Sequence, residues 1–395
     1  MKILTVDIGT GTQDIYLYDS RFNLENGFKL VVPSPTMMIH HQIKEATHRQ
    51  ESVLLTGVTM GGGPSQWAAE AHVRAGLAVY ATPEAARTFN DELDVVEAMG
   101  IRVIAEDEVN ALSPKANKIE LCDFNFQSIV RALGEFRISL DDLSAIAVAV
   151  FDHGNAPSGV SDRQFRFDYL DDKLRSGNLP DQAGRKRHPL TRFAFRAENI
   201  PPTMTRLQAV AQSALSSGID DTPLVVMDTA PAAVLGATFD PQVGYRQRVM
   251  IANIGNFHTL AFRLGPGGVE GVFEHHTGLL DRLKLEQLLI SLAQGTLRHQ
   301  DVFAHHGHGA LVYESIPLSL GEGAYDVAIT GPRRSLFPID RNASLLRPYH
   351  AVPFGDMMIS GCFGLLASTG EVIPDLLDSI SASFKGAASA APWEG

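Results

Sequence analysis

A short turn rich in glycine and threonine, near the start of the chain, has residue types that suit phosphate chemistry. An apolar strand ends at Asp7, and Gly9-Thr10-Gly11-Thr12 follows before a second apolar strand. Glycines let backbone N–H groups approach a phosphate closely, and threonine hydroxyls add donors. An aspartate at the strand end can hold Mg²⁺ through bound water. The alternative is a plain β-hairpin in which these residues only reverse the chain.

A second glycine run, Gly61-Gly62-Gly63, stands between a strand predicted at residues 52–58 and a helix predicted to extend to about residue 75. Backbone N–H groups at a helix start form an anion site, so the run predicts a loop that contacts phosphate or substrate. It lacks the Gly-Lys-Ser/Thr ending of a P-loop and the spacing of a dinucleotide fingerprint. A sharp strand-to-helix turn is the alternative.

Asp152 and His153 directly follow an apolar strand predicted at residues 145–151. Ligands of open α/β sheets bind at the carboxyl ends of strands, where such a pair can act as acid, base or metal ligand. Residues 152–202 show little periodicity and predict a long, inserted basic loop. Its cations predict a site for an anionic substrate, with a solvated loop as the alternative; they are Arg163, Arg166, Arg185, Lys186, Arg187, Arg192 and Arg196.

Six of the fourteen histidines fall between residues 275 and 308. In this group His306-Gly307-His308 has a spacing that can chelate a transition metal, and His275 or His276 can complete the site. Metal ligands must converge in space, which spacing alone does not establish. The segment 299–308 is therefore a candidate metal site, and a polar loop or a phosphate-facing histidine pair is the alternative.

Several segments of the sequence resemble motifs that stand in the same order in a known superfamily. Residues 7–12 resemble the first phosphate motif of the sugar kinase, Hsp70 and actin superfamily. Residues 225–237 resemble the segment that carries the catalytic aspartate of its carbohydrate kinases. Residues 252–259 resemble its second phosphate turn, and residues 359–364 loosely resemble its adenosine motif. The resemblance implies an α/β, two-lobed, actin-like and ribonuclease H-like ATPase fold with a nucleotide cleft between the lobes.

The resemblance also implies a ligand, Mg-ATP, and a reaction, which is ATP hydrolysis or phosphate transfer to a small, anionic substrate. Asp228 would be the general base, with a helix N-cap as its alternative role. Asp7 would hold Mg²⁺ through water, and Asp152 and His153 are further catalytic candidates. The predicted nucleotide contacts are Asp7, Gly9, Thr10, Gly11, Thr12, Gly255, Asn256, His258, Gly361 and Gly364, and the predicted substrate contacts are Gly61, Gly62, Gly63, Arg163 and Arg166.

More narrowly, residues 56–67 and 152–167 resemble a prokaryotic family labelled as pyruvate formate-lyase activating. Radical chemistry of that kind needs a cysteine triplet, whereas this chain has Cys122 and Cys362, far apart. Two other functions stay open. One is a metal- or histidine-dependent hydrolase that uses the Asp152 pair or the 299–308 histidines, with degenerate nucleotide turns. The other is a nucleotide-regulated binding protein without turnover.

The composition limits the partners. The 395 residues include 33 Lys+Arg and 45 Asp+Glu, a formal net charge of −12, which argues against a general nucleic-acid binder. Two cysteines are too few for a disulfide framework and fit a reducing cytosol. The first residues form too short an apolar run for a signal sequence, and no run of about 20 apolar residues predicts a membrane span. We expect a cytoplasmic protein, with a homodimer left open.

Short apolar strands alternate with amphipathic helices, which is the α/β pattern. A lobe boundary is predicted near residues 240–248, where proline, glycine and charges interrupt the pattern. The predicted lobes are residues 1–245 and 246–384, each with one phosphate turn, followed by a flexible tail at 385–395. Further strands are predicted at residues 2–6, 13–18, 249–254, 258–264 and 357–359, and helices at residues 83–99, 229–237 and 279–293.

Overall fold

The computed structural model describes residues 1–175, 187–219, 221–338, 344–386, 390 and 393. The strands are β1 (Lys2–Ile8), β2 (Thr12–Asp19), β3 (Phe28–Pro33), β4 (Val53–Gly57), β5 (Val79–Ala81), β6 (Ile101–Val103), β7 (Asn117–Leu121), β8 (Leu143–Val150), β9 (Ala194–Arg196), β10 (Leu224–Asp228), β11 (Val249–Ile254), β12 (His258–Gly265), β13 (Gly268–His276), β14 (Gly309–Val312), β15 (Val327–Thr330) and β16 (Pro348–His350).

The helices of the described part, 3-10 turns aside, vary from single turns to fourteen residues. They are α1 (Pro35–His48), α2 (Pro64–Arg74), α3 (Pro83–Ala86), α4 (Leu93–Ala98), α5 (Val109–Leu112), α6 (Phe126–Gly134), α7 (Asp162–Arg175), α8 (Thr205–Ser216), α9 (Thr229–Ala237), α10 (Pro241–Gly244), α11 (Arg282–Ala293), α12 (His299–Phe303), α13 (Ser360–Val372) and α14 (Pro374–Phe384). Among them, none combines the length and the apolar character that crossing a membrane requires.

The first sheet has the order β3-β2-β1-β8-β10-β9. Strand β1 pairs antiparallel with β2 and parallel with β8, which in turn pairs parallel with β10. Both β1 and β8 are buried on both faces, which explains why they are continuous apolar runs in the sequence. Without the edge strand β9, the five strands follow the spatial order 3-2-1-4-5.

The second sheet repeats this arrangement. Its order is β14-β13-β12-β11-β15-β16. Without the edge strand β14, the other five strands again follow the spatial order 3-2-1-4-5 when they are numbered along the chain. As in the first sheet, the first strand, β11, pairs antiparallel with the second and parallel with the fourth. This duplication confirms the two-lobed, actin-like and ribonuclease H-like α/β fold.

A third, four-stranded sheet is inserted between β3 and β8. Its order is β6-β5-β4-β7, all its pairs are parallel, and it has its own apolar core with α1 and α2. The sequence analysis does not separate this unit from the N-terminal lobe. The glycine run Gly61-Gly62-Gly63 follows its central strand β4, so this sheet presents the run to the rest of the molecule.

Helices α9 and α13 cross with their backbones in direct contact. A Cβ atom at Gly236 would overlap the carbonyl oxygen of Ser360, and one at Gly364 would overlap that of Ala232. Only glycine permits this approach. Gly364, predicted from the resemblance to contact nucleotide, instead packs the two helices together and is not among the cleft residues described below.

The last two helices return to the first sheet. Phe363 and Leu366 of α13 and Ile380 of α14 share one apolar core with Ile3 and Tyr16 of the first sheet. The predicted C-terminal lobe, residues 246–384, includes α13 and α14, whereas in the structure these two helices pack on the first sheet. Most of the predicted tail lies outside the described residues, which in that segment are 385, 386, 390 and 393.

The predicted strands at residues 2–6, 13–18, 52–58, 145–151, 249–254 and 258–264 and the helices at 229–237 and 279–293 are confirmed. Two other predictions are wrong. Residues 83–99 form two short helices, because the Asn90 side chain accepts the backbone N–H of Glu92 in a turn between them. Residues 357–359 are a turn before α13, where Asp356 accepts the N–H of Met358.

The predicted loop at residues 152–202 is also wrong, because it contains the helix α7, a 3-10 turn at Pro189–Phe193 and the strand β9. The helix α7 is so polar that its sequence shows no apolar stripe, yet it buries Arg166, Phe167 and Leu170. Arg185 and Lys186, two of the predicted substrate cations, lie outside the described residues.

Candidate functional site

A cleft of about 580 Å³ opens where the three sheets meet. Five strands, β1, β4, β8, β11 and β15, end at or near it, so it lies at the carboxyl ends of parallel strands, where open α/β sheets bind their ligands. Its walls include residues 7–12 and 151–154 of the first sheet, Asn253 with residues 255–258 and 330–332 of the second, and residues 59–63 and 87–92 of the third.

The two predicted phosphate turns have the same backbone closure. The N–H of Gly9 donates to the carbonyl of Thr12, and the N–H of Gly255 donates to the carbonyl of His258, both at 2.9 Å. Each turn joins the first two strands of its sheet. The turns face each other across the cleft, and a Cβ atom at Gly11 would overlap the side-chain amide of Asn256.

Two carboxylates lie on the floor of the cleft. Asp7 of β1 and Asp14 of β2 are register partners, so their side chains share one face of the sheet. The Thr229 hydroxyl donates to Asp7 at 2.5 Å, while Asp14 Oδ1 has no partner in the described part of the chain. Burial raises the pKa of Asp7 to about 7, and burial together with the Asp7 charge raises the pKa of Asp14 to about 8.

Asp14 was missed by the sequence analysis, although a signal for it exists. A hairpin that closes between residues 9 and 12 places residue 7 opposite residue 14. Gly361, at the start of α13, stands against the same carboxylates, and a Cβ atom there would overlap Asp7 Oδ2. The structure thus brings Gly361 to the cleft, as the resemblance predicts, but at its acidic floor.

The glycine run of the third sheet is held by an ion pair. Arg206 donates to both oxygens of Asp123, at 2.7 and 2.9 Å, and Asp123 also accepts the N–H of Gly61. Gly63 has a φ of 66°, in the left-handed region, and stands immediately before α2. Two arginines not singled out as substrate contacts from the sequence, Arg87 and Arg206, line this side of the cleft.

The predicted cationic substrate site does not form around Arg163 and Arg166. Arg163 donates to the carbonyl of Gly307 at 2.7 Å and lies over the Phe303 ring. Arg166 is fully buried, and neither residue is a cleft-lining residue. Two cations further along the chain have other partners: Arg192 donates to the Lys173 carbonyl, and Arg196 pairs with Glu198.

Arg166 ties the two lobes together. It donates to Asp228 through Nη1 and to Glu274 of β13 through Nε at 3.3 Å. Asp228 also accepts the N–H of Ala230 and so caps α9. The predicted base is therefore engaged by a cation and a helix end, and Thr229, rather than Asp228, lines the cleft. Burial raises the pKa of Glu274 to about 7 against the opposing charge of Arg166.

Asp152 and His153 point to different neighbours, as adjacent residues of an extended chain do. The Asp152 carboxylate accepts the N–H groups of Gly154 and Leu207, at 2.8 and 2.9 Å, and so fixes the start of α8. The His153 ring instead reaches into the second lobe, where its Nε2 lies 3.2 Å from Nε2 of His308.

A histidine cluster closes one end of the cleft. His153, His258 and His308 each offer a ring nitrogen within 4.8 Å of the other two, and the His276 ring packs on His258 and His308. Of the predicted chelating pair, His308 is fully buried here, while His306 is exposed. The histidines that converge with His308 in the described part of the chain are therefore His153 and His258, rather than His306.

A family model described as "Putative pyruvate format-lyase activating enzyme (DUF1786)" matches residues 60–336. The chain belongs to this family. The match covers the glycine run, the phosphate turn of the second lobe, Arg166 and the histidine cluster. No curated protein matches the sequence.

The solved structures that this chain resembles share little sequence with it and match it at low TM-scores. A "putative N-acetylmannosamine kinase" of Listeria monocytogenes is 9% identical with a TM-score of 0.24, over 68% of this chain and 49% of that one. A ROK hexokinase of Thermus thermophilus is 14% identical with a TM-score of 0.21, over 68% and 48%. This chain thus spans about half the length of these two proteins.

A third structure covers both chains almost completely. The activator of the 2-hydroxyisocaproyl-CoA dehydratase of Clostridium difficile, with bound ADPNP, is 8% identical with a TM-score of 0.31, over 99% of this chain and 98% of that one. At this level of likeness, the assignment of the fold rests on the strand order of the two sheets.

Proposed function

We propose that the cleft binds a magnesium nucleoside triphosphate and that the protein hydrolyses it or transfers its phosphate. The observation that carries this proposal is the pair of turns, Gly9–Thr12 and Gly255–His258, with identical closing hydrogen bonds and facing positions. Two such turns present backbone N–H groups and short polar side chains from opposite sides, which suits a chain of phosphates.

The residues present fit magnesium. Mg²⁺ takes oxygen ligands and keeps much of its water, and the cleft offers two carboxylates of which Asp14 has a buried oxygen without a partner in the described residues. Asp7 and Asp14 would hold the ion, directly or through water. When bound, the ion would neutralise charge on the phosphates, which is the main requirement of phosphoryl transfer.

The third sheet would form the side of the cleft that binds the molecule to which phosphate is transferred. Gly61 to Gly63 precede α2, whose start carries the partial positive charge of a helix N-terminus, and Arg87 and Arg206 stand on the same side of the cleft. This lining supports a small, anionic acceptor. Arg206 is held by the buried Asp123, whereas Arg87 pairs with the exposed Glu84 and can exchange that partner for an anion.

The activity in the family's description is not part of this proposal. An iron–sulfur cluster of the activating kind needs a set of neighbouring cysteines, and this chain has two. Cys362 is buried and directed at the carbonyl oxygen of Asp14, and Cys122 directly follows β7 of the third sheet. The donor set does not fit such a cluster.

The proposal is tested by calorimetric titration of the protein with ATP, with Mg²⁺ and with EDTA. We expect one saturable site per chain whose affinity rises with Mg²⁺. Asp7→Asn should lower the affinity by about 10–100-fold with Mg²⁺ and little with EDTA, because it removes one metal oxygen and keeps the side-chain shape.

The matched control is Asp142→Asn, at an exposed carboxylate that pairs with Lys2 far from the cleft. It should leave both affinities unchanged. Absence of binding at millimolar ATP, or an equal loss for Asp7→Asn in both buffers, contradicts the proposal. Phosphate release and transfer to candidate acceptors are then assayed on the same proteins.

A further inference from the structure

We infer that His153, His258 and His308 form a binding site for a single transition-metal ion of the Zn²⁺ class, with its open side facing the cleft. This site is separate from the proposed magnesium site, because its donors are imidazole nitrogens rather than carboxylate oxygens. Zn²⁺, Co²⁺ and Fe²⁺ accept imidazole readily, whereas Mg²⁺ prefers oxygen.

The distances among the three rings suit one ion. His153 Nε2 and His308 Nε2 are 3.2 Å apart. Two nitrogens that bind one tetrahedral zinc at 2.0–2.1 Å lie about 3.3 Å apart. The offered nitrogen of His258 is within 4.8 Å of both, so its ring must move closer for all three nitrogens to bind one ion.

Several buried polar atoms around the cluster lack partners among the described residues. His258 Nε2, His308 Nδ1 and Glu274 Oε1 make no hydrogen bond that meets normal geometry. A buried polar atom without a partner is unfavourable, so a ligand that satisfies these groups gains affinity from them. A metal ion would satisfy His258 directly.

Glu274 stands behind His308 as a metal-supporting carboxylate does. Its Oε1 is 3.5 Å from His308 Nδ1, on the ring side away from the nitrogen that faces His153. Metal-bound histidines almost always give their second nitrogen to such a partner, which fixes the tautomer and the ring orientation. Glu274 is itself held by Arg166, so the support is rigid.

Charges of both signs surround the cluster. Arg166 pairs with Asp228 and Glu274 behind the rings, and Arg163 donates to the carbonyl of Gly307, next to His308. The two carboxyl groups offset the charge of Arg166, so an ion at the rings would not face an unpaired arginine.

The fourth coordination position would face the ligand of the cleft. His153 and His258 line the cleft, whereas His308 lies behind them. Three protein ligands with one open position characterise catalytic rather than structural zinc sites. Water or an anionic oxygen of the cleft ligand, such as a phosphate or carboxylate oxygen, would fill that position.

The test is a Co²⁺ titration of the untagged, chelator-treated protein without nucleotide, followed by visible absorption. We expect one Co²⁺ per chain with the intense bands of a four-coordinate site, and displacement by Zn²⁺. His153→Gln and His258→Gln should each lower the Co²⁺ affinity by about 100-fold or more, because each removes a ligand.

The control is His306→Asn, at an exposed position with a φ of 64° that asparagine tolerates. It should bind Co²⁺ like the wild-type protein, although the sequence spacing favours His306. Thermal unfolding gives a second measurement: Zn²⁺ should raise the Tm of the wild type and of His306→Asn, and not that of His153→Gln.

Two outcomes overturn the inference. One is the absence of a stoichiometric cobalt spectrum, which would show that the His153–His308 contact is a hydrogen bond between neutral rings. The other is unchanged Co²⁺ binding in both glutamine variants, with a native Tm. Because no nucleotide is present, neither outcome bears on the Mg-ATP proposal, which fails or stands on its own titration.

Discussion

The two glycine turns close with the same backbone hydrogen bond and differ in nearly every side chain. The turn of the first lobe, Gly9–Thr12, has hydroxyl groups and stands beside Asp7 and Asp14. The turn of the second lobe, Gly255–His258, has an amide, a phenyl and an imidazole ring, and Asn253 occupies the position equivalent to Asp7. One side of the cleft is therefore rich in oxygen donors and the other in nitrogen donors.

This difference indicates that the duplicated fold fixes the position of a turn but not its chemistry. Backbone N–H groups, which suit phosphate, are available in both lobes. The side chains then favour a hard ion such as Mg²⁺ in the first lobe and a softer ion in the second. The predictions below test whether the two turns act as one unit or as two.

The largest effect is expected for Arg166→Met, which removes the cation shared by the two lobes. Asp228 and Glu274 would then be buried without a partner, and breaking a buried ion pair costs about 3–5 kcal/mol. Chemical denaturation of the metal-free protein measures the loss. Arg163→Met, one turn earlier on α7, should cost much less, because Arg163 pairs with carbonyl groups rather than carboxylates.

Asp228→Asn separates the two roles of this aspartate. Asparagine caps a helix about as well as aspartate, and Glu274 still pairs with Arg166, so the loss of stability should be smaller than for Arg166→Met. If Asp228 serves only as cap and ion partner, ATP turnover persists. A fall in turnover of about 10²-fold or more, with native stability, would instead assign it the role of base.

Alanine at the two turns should give unequal results. A Cβ atom at Gly255 would lie 2.6 Å from the backbone carbonyl of His258, which cannot move without opening the turn. Gly255→Ala should therefore destabilise the protein by about 1–3 kcal/mol. At Gly11 the new atom would meet only the Asn256 side chain, which can rotate away.

Gly11→Ala should consequently cost less than about 1 kcal/mol in stability while it weakens ATP binding, because it displaces the Asn256 amide, a predicted nucleotide contact. Urea unfolding and ATP titration of both variants measure the two effects. Equal losses of stability would show that the turns respond in the same way and would remove the asymmetry.

The smallest effect is the contribution of Asp14, on the oxygen-rich side, to the pH dependence of stability. Burial raises the pKa of Asp14 from 3.8 to about 8, so the folded state binds more protons than the unfolded state between about pH 4 and pH 8. Asp14 should therefore lower the stability of the Mg²⁺-free protein as the pH rises through this window, by at most about 1.4 kcal/mol per unit. Burial lowers the pKa of His153, so that ring contributes in the opposite direction below about pH 6.5.

Asp14→Asn should flatten this slope, as measured by unfolding in EDTA at pH 5.5, 6.5 and 7.5. Asp7 keeps its own raised pKa, so part of the slope should persist in the variant. A stability difference between the wild type and Asp14→Asn that does not change between pH 5.5 and pH 7.5 contradicts a buried, protonated Asp14.

The sequence predicts the elements that obey a simple period. The apolar strand β1 and the glycine turn after it are local features, and the hairpin rule extends them to Asp14. The helix α7 could not be predicted in this way, because charged residues fill it. Arg166 can be buried there because Asp228 and Glu274, which lie 62 and 108 residues away in the sequence, balance its charge.

The histidine cluster shows the same limit of local patterns. Its members come from the end of β8, the second turn and the loop before β14, and spacing pointed instead to His306. A short spacing can suggest a chelate, but convergence depends on which strands are neighbours. That order is a property of the folded sheets, and local spacing does not contain it.

The return of α13 and α14 to the first sheet has a consequence for synthesis of the chain. The apolar face that contains Ile3 and Tyr16 is covered by helices that begin at Ser360, long after β10 ends at Asp228. At a translation rate of 5–20 residues per second, that face waits on the order of 10 s for its cover. The first lobe to emerge from the ribosome is thus the last to close its core, and it is the part of the nascent chain that most needs a chaperone.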